Sequence, residues 1–285
     1  MSRAVALGLL VAGLLGGCAQ GQTPGVSFGR LDSIMNIPST ARGAFSDVDE
    51  PEEIELGRAV TAAIGGRYPL LRDPVLTRYV ALVGNIVAAQ SERPDVRYYF
   101  GVLDSPEVNA FAAPGGYIFV TKGALALMRD EATLAGVLGH EIAHVAARHH
   151  LETIKASKRK DLTVMGLRTG LAFAPGPAGS LAGVISLAAD AMVEQVVLKG
   201  FSRAEEGQAD GLGVGYASRA GYDRAGLQDF LLAVSARGDR DPSSGRFFST
   251  HPGTAERLKE LEKLPPSQAG GQRNRERFAA EMPKS

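Results

Sequence analysis

The chain has 285 residues, its 31 Lys and Arg balance its 31 Asp and Glu, and it contains one cysteine. This length allows one sizeable hydrophobic core, and the neutral balance argues against a basic surface that would attract nucleic acid. A single cysteine cannot form an internal disulfide bond, so we expect stability to come from the core or from a metal ion.

The N-terminal residues have the pattern of a secretory signal peptide. One charge, Arg3, precedes an apolar run over residues 4–15 that is too short to span a membrane. The order Leu15-Gly16-Gly17-Cys18 resembles the cleavage box of bacterial lipoproteins, in which the cysteine is lipidated and becomes the mature N-terminus. By the same resemblance, Ala19 indicates the outer membrane, facing the periplasm. The alternative is an ordinary signal peptide followed by an incidental thiol.

The chain is predicted to have four parts. Residues 1–17 are the lipoprotein signal peptide, and residues 18–49, rich in Gly, Ser, Thr and Pro, are the lipidated N-terminus and a flexible tether. Residues 50–264 are the folded domain, and residues 265–285 are a loose polar tail.

Two helices and two strands are predicted at the start of the folded domain. Asp49-Glu50-Pro51 starts an amphipathic helix, and Asp73-Pro74, an N-cap followed by Pro, starts a second one. Residues 96–103 alternate in polarity, and residues 117–121 follow a Pro-Gly-Gly turn, so both predict strands of a small sheet. An edge strand can align an extended substrate, although a plain core strand fits the pattern equally well.

Residues 140–144 read His-Glu-Ile-Ala-His and continue a run, 130–139, with helical apolar spacing. On a helix the two imidazoles lie one turn apart on one face, where both can bind one Zn²⁺ while Glu141 acts as a base toward water. The alternative is a surface helix with solvated histidines. The apolar neighbours favour burial, and buried paired histidines usually have a metal or a partner.

A catalytic zinc needs a third protein ligand, and His150 is one candidate. It follows His140 by ten residues, the metzincin spacing, but Ala147 stands where that pattern requires Gly. On an unbroken helix His150 would lie about 15 Å along the axis from His140, too far to share a metal. We therefore expect His149 and His150 in the last turn of the helix, where the dipole favours them.

Glu206 is the second candidate. It lies in segment 201–210, and Asp210 follows one turn later on the same predicted helix. Glu206 can bind the metal while Asp210 orients a ligating histidine, and Glu205 is expected to be solvated. The alternative is a charged helix start, with the carboxylates favoured by the dipole.

These residues resemble peptidase family M48, zinc metalloendopeptidases in which a His-Glu-x-x-His helix is followed by Ser-Arg-x-x-Glu-x-x-Ala-Asp. The segments 109–116 and 249–252 also match family motifs, so the resemblance covers about residues 52–264. It is greatest to the short periplasmic lipoprotein members. It implies an α+β, predominantly helical zincin-like fold with a small sheet before the metal helix, and one Zn²⁺ per chain. The implied roles are zinc ligand for His140, His144 and Glu206, general base for Glu141, and support for a ligand for Asp210.

Two further features bear on the mechanism. In His251-Pro252 the proline restricts the loop, so His251 can donate to the oxyanion or occupy the open zinc position and block the enzyme. A surface-loop histidine is the alternative. Residues 155–199 are predicted to form a helical hairpin that gates the active site, with plain core packing equally open.

The sequence thus predicts a lipid-anchored zinc endopeptidase that acts on misfolded or unassembled envelope proteins. The expected partners are polypeptide substrates, including outer-membrane proteins and their assembly machinery, and the membrane through the N-terminal lipid, but not nucleic acid. One alternative is a metal-stabilised periplasmic chaperone or assembly factor with little proteolysis. The other is a metzincin-type protease that uses His150.

Overall fold

The structure is a computed structural model that describes residues 49–152, 193–194, 199–238, 241, 243–264 and 271–282. All of them belong to one compact unit, residues 37–285. The predicted signal peptide, the lipidated Cys18, the tether and most of the predicted gating hairpin lie outside these residues and stay predictions. Within the described part of the chain, no helix is long and apolar enough to cross a membrane.

Two helices precede the sheet, α1 (Glu50–Arg67) and α2 (Pro74–Ala88). Both start where the sequence predicts. Asp49 and Glu52 form a reciprocal capping box at the start of α1. At the start of α2 the Asp73 carboxylate accepts two backbone N–H bonds, at 3.1 and 2.9 Å, and Pro takes the first helical position.

The sheet has three strands, β1 (Tyr99–Leu103), β2 (Ala110–Ala113) and β3 (Tyr117–Thr121). Their order is β1-β3-β2, with β1 parallel and β2 antiparallel to β3. The sequence predicts β1 and β3 but misses β2, because its four residues are all buried and show no alternation. A small sheet before the metal helix is therefore confirmed.

Helices make up most of the remaining described residues, so the prediction of a predominantly helical α+β fold is confirmed. The helix that carries the histidine pentad packs against the next long helix of the described residues. These helices are α3 (Lys122–Leu125), α4 (Glu131–Ala146), α5 (Arg203–Arg219), α6 (Gly226–Arg237), α7 (Gly245–Thr250), α8 (Thr254–Glu262) and α9 (Arg275–Glu281).

The C-terminal segment is not the loose tail that its polar sequence suggests, at least over residues 271–282. It contains α9, whose Phe278 is buried and packs against Tyr79 of α2. Arg277 pairs with Glu131, the first residue of α4. Composition misses this segment because one buried aromatic ring and several ion pairs hold it, and long-range partners of these kinds leave no local pattern.

Candidate metal centre

The pentad lies on α4, as predicted. The helix starts at Asp130, whose side chain accepts a hydrogen bond from the Thr133 N–H at 2.9 Å. One turn separates His140 from His144, and with Glu141 all three side chains are at most 3% exposed. The alternative of a surface helix with solvated histidines is therefore wrong.

Helix α5 brings a second set of polar groups to α4 because the two backbones approach very closely. A Cβ atom on Gly139 of α4 would lie 2.6 Å from the Gly213 carbonyl oxygen of α5. Glycine at both positions lets the helices touch. As a result, Glu206 and Asp210, both at most 4% exposed, face His140.

The start of α5 separates the roles of two adjacent glutamates. Ser202 accepts a hydrogen bond from the Glu205 N–H at 3.3 Å, and the Glu205 carboxylate accepts one from the Ser202 N–H at 2.8 Å. This capping box uses Glu205 at the helix start, whereas Glu206 is fully buried. The sequence predicts only solvation for Glu205.

Four buried side chains offer ligand atoms that all lie within 4.8 Å of one another: His140, His144, Glu206 and His251. The two histidine Nε2 atoms are 3.1 Å apart, and each lies 3.5 Å from a Glu206 oxygen. Tetrahedral zinc ligands at about 2.0–2.1 Å from the ion lie roughly 3.3 Å from each other. The donor set and its spacing therefore fit a metal ion.

The His251 ring lies between the other proposed ligands and the proposed base. Its Nδ1 is 3.3 Å from both Glu206 oxygens, and its Nε2 is 3.9 Å from the Glu141 carboxylate. At 3% exposure it is not a surface-loop histidine, so that alternative is wrong.

Behind the ligands lies Arg257 of α8, which the sequence analysis misses. Its guanidinium makes two bonds to the Asp210 carboxylate, at 2.7 and 2.6 Å, and pairs with Glu206 at 2.7 Å. Asp210 in turn lies 2.9 Å from His140 Nδ1, as expected for a group that orients a ligand. The sequence does contain a signal that could have found Arg257, the helical spacing of buried positions. Arg257 lies on the same buried face of α8 as Thr254 and Leu261.

The expected position of His149 and His150 on the last turn of α4 is wrong. The helix ends at Ala146, and Arg148 takes a left-handed conformation with φ of 55°. A new helical turn starts at His149, whose Nδ1 lies 2.9 Å from Nδ1 of His144. His150 is buried but does not belong to the group of four ligands. The break that the metzincin pattern assigns to Gly therefore occurs one residue later, without a glycine.

Burial and charge set the protonation of the site. Burial opposes protonation of His140, but the Asp210 and Glu206 carboxylates outweigh it and raise the pKa of His140 to about 9. Burial and the nearby charge of His140 lower the pKa of His144 well below its usual value. Burial also raises the pKa of Glu141, as expected for a general base.

For the two carboxylates that contact cations, Glu206 and Asp210, nearby positive charge outweighs burial and lowers the pKa. Burial favours the protonated form of Glu206, but the nearby His251 and His140 outweigh it and lower the pKa of Glu206 strongly. Burial acts the same way on Asp210, where Arg257 and His140 lower the pKa. Both carboxylates are therefore ionised at neutral pH, the form that attracts a cation.

Comparison with known proteins agrees with this geometry. The model of peptidase family M48 matches residues 74–265, about two thirds of the chain. The chain belongs to this family. The matched region contains all four residues of the metal group, Glu141, Asp210 and Arg257.

Relatives of this M48 chain include the beta-barrel assembly-enhancing proteases of Escherichia coli (strain K12), 26% identical over 250 residues, and Yersinia pestis, 28% over 238. These alignments cover 87% and 83% of this chain but 50% and 46% of the relatives, so the chain spans about half their length. The mitochondrial metalloendopeptidase OMA1 of Schizosaccharomyces pombe is 30% identical over 237 residues, 81% of this chain and 67% of the relative.

Proposed function

We propose that this chain is a zinc-dependent endopeptidase with His140, His144 and Glu206 as metal ligands and Glu141 as general base. The observation that carries the proposal is the convergence of two imidazoles and a carboxylate beside Glu141, in a chain of the M48 family. A purely structural zinc needs no base, so a buried glutamate next to the ligands favours catalysis.

A bound zinc ion supplies a Lewis acid and lowers the pKa of a water molecule toward neutrality. Glu141 accepts a proton from the attacking water and then transfers it to the leaving amine. Its raised pKa suits both steps, because the group must take up a proton and release it near neutral pH. Asp210 holds the His140 ring through Nδ1, and Arg257 holds Asp210.

The proposal gives His251 one of two alternative roles, and one substitution distinguishes them. The ring is close enough to the other ligands to take the fourth metal position and keep the resting enzyme closed. If it blocks the site, His251→Ala raises turnover of a short peptide. If instead it donates to the oxyanion, turnover falls by about 100-fold or more. An unchanged rate would remove His251 from the mechanism.

The proposed substrates are misfolded or unassembled proteins of the bacterial envelope. The bacterial relatives are named for enhancing β-barrel assembly, which supports outer-membrane proteins and their assembly machinery as partners. We further propose that the lipid on Cys18 anchors the enzyme to the outer membrane, facing the periplasm. Mass spectrometry of the mature N-terminus tests this, since a free Cys18 thiol would contradict it.

The function is tested with the full chain, purified in detergent, as wild type, Glu141→Gln and Glu206→Gln. Bound zinc and cleavage of an unfolded protein are measured in parallel. We expect Glu141→Gln to keep its zinc and lose cleavage by about 100-fold or more, and Glu206→Gln to lose zinc. A zinc-loaded wild type without cleavage would favour the chaperone, and unchanged zinc in Glu206→Gln would reject this ligand.

A further inference from the structure

The second nitrogen of each proposed histidine ligand has a different partner. His140 Nδ1 faces the Asp210 carboxylate at 2.9 Å, the usual arrangement for a metal-bound imidazole. His144 Nδ1 instead faces another imidazole, His149, at 2.9 Å between the two Nδ1 atoms. His149 Nε2 lies 3.2 Å from the Gln208 side-chain oxygen. A histidine therefore stands where a carboxylate or carbonyl is expected.

A metal ion bound at His144 Nε2 would set the direction of these hydrogen bonds. His144 Nε2 faces the metal group, so with Nε2 bound to a metal ion the ring would carry its proton on Nδ1 and donate from there. The facing His149 Nδ1 must then accept, which leaves the His149 proton on Nε2. That N–H donates to the Gln208 oxygen. Gln208 lies on α5, two residues after Glu206, so the bonds link two proposed ligands.

The break after α4 lies directly before His149, which starts a new helical turn. Arg148 adopts the left-handed φ of 55°, which is unfavourable for a residue with a Cβ atom. The Arg148 guanidinium pairs at 2.6 Å with Glu53, which is 1% exposed. Arg93 also pairs with Glu53, at 2.9 Å, and donates to the Val145 carbonyl at 3.3 Å. The Glu53 carboxylate thus ties the last turn of α4 to the residue at which the helix breaks.

We propose that His149 is a positioning residue for the metal centre: as a neutral acceptor it fixes the tautomer and ring orientation of His144, and the Glu53–Arg148 pair holds it there. The proposal rests on the zinc site of the proposed function. Groups that orient a metal ligand typically contribute 10- to 100-fold to metal affinity.

The test measures the zinc dissociation constant of the full chain by competition with a chromophoric chelator. We expect His149→Leu, which removes the acceptor, to weaken zinc binding by about 10- to 100-fold. His149→Asn restores an acceptor oxygen close to the position of Nδ1, so we expect it to stay within about fivefold of the wild type. A His149→Leu variant that binds zinc as tightly as the wild type would overturn the proposal.

His150→Leu is the matched control. His150 is the next residue, equally buried, and lies outside the group of four. We expect its zinc affinity within about threefold of the wild type, because it does not orient a ligand. Equal weakening in His150→Leu and His149→Leu, without recovery in His149→Asn, would reduce His149 to a packing role and overturn the proposal.

Two substitutions at Arg148 test the turn. Arg148→Gly and Arg148→Ala both remove the pair with Glu53, but only glycine adopts the left-handed φ without strain. We expect zinc binding to be two- to fivefold weaker in Arg148→Ala than in Arg148→Gly, by roughly the free-energy difference between the two residues. Equal affinities would show that the turn does not place His149.

The zinc affinities also separate this proposal from the enzyme function. If the wild type binds zinc but does not cleave protein, the endopeptidase proposal fails while the His149 series still decides the positioning role. If the wild type cleaves and His149→Leu keeps its zinc affinity, only the positioning role fails. A wild type without zinc would overturn both.

Discussion

Two buried carboxylates lie beside the two ends of α4, Glu131 at its start and Glu206 of α5 toward its end, and they differ in what surrounds their oxygens. At its start, Glu131 accepts hydrogen bonds from Tyr79 and Tyr222 at 2.7 and 2.8 Å, from Asn274 at 3.1 Å and from Arg277. Toward its end, one Glu206 oxygen pairs with Arg257 at 2.7 Å, and the two oxygens also lie 3.3 to 3.5 Å from three imidazoles.

This difference distinguishes a cluster that stabilises the fold from a cluster that binds a metal ion. Glu131 has a donor on every side, so its cluster is satisfied and serves to hold α9 and α2 to α4. Around Glu206, Arg257 pairs with one oxygen, but three imidazole nitrogens also converge on the carboxylate at ligand–ligand distances, and a metal ion would satisfy them together. The spacing of the polar atoms indicates which of the two binds a metal.

The largest expected effect is at the Glu206 end. Glu206→Gln removes the proposed anionic ligand, and we expect no zinc to remain bound at equimolar metal, as read by atomic emission after gel filtration. Glu131→Gln should retain one zinc per folded chain, because its cluster does not touch the site. Equal zinc loss in both variants would show that the two ends are not independent.

Glu131→Gln should instead reduce the free energy of unfolding. We expect a loss of about 1 to 3 kcal/mol, the cost of weakening the buried hydrogen bonds from Tyr79 and Tyr222, because the half-exposed Arg277 stays hydrated without its partner. Urea unfolding of the metal-free protein measures it. The control is Glu276→Gln, an exposed glutamate of α9, which should stay within about 0.5 kcal/mol of the wild type. A similar loss in both would mean that α9 depends on general charge, not on this cluster.

Asp210→Asn should have an intermediate effect, on metal affinity. The amide accepts the His140 proton more weakly and removes one of the two anionic partners of Arg257, so we expect zinc binding to weaken by about 10- to 100-fold. Chelator competition measures the change. An affinity equal to that of the wild type would show that the Arg257–Asp210 pair is structural, like the Glu131 cluster.

The smallest effect is the pH dependence of stability. Burial would raise the pKa of Glu131, but the bonds from Arg277, Tyr79 and Tyr222 outweigh it and lower the pKa below 4.5. A lowered pKa stabilises the fold above the unfolded value and loses that contribution as pH falls through the folded value. Below pH 4.5 the metal-free wild type should therefore lose stability more steeply than Glu131→Gln. Parallel curves would contradict this.

The parts of this protein that the sequence determines are local. The N-caps of α1 and α2, the pentad on one face of α4 and the Glu206–Asp210 pair on α5 all depend on residues within one or two turns. Side-chain periodicity and capping act over such distances, so the pattern predicts the element and the face. The likeness of the combined motifs to family M48 supplied the link between α4 and α5.

Only the tertiary structure decided which distant groups meet. Arg257 reaches Asp210 across 47 positions, and Arg277 reaches Glu131 across 146. The helix breaks at Arg148, next to the contact between His149 and His144, and Arg148 pairs with Glu53 of α1. No glycine at this position indicates the break in the sequence. The free energy of these contacts arises only after the helices have packed, and no periodicity along the chain reports it.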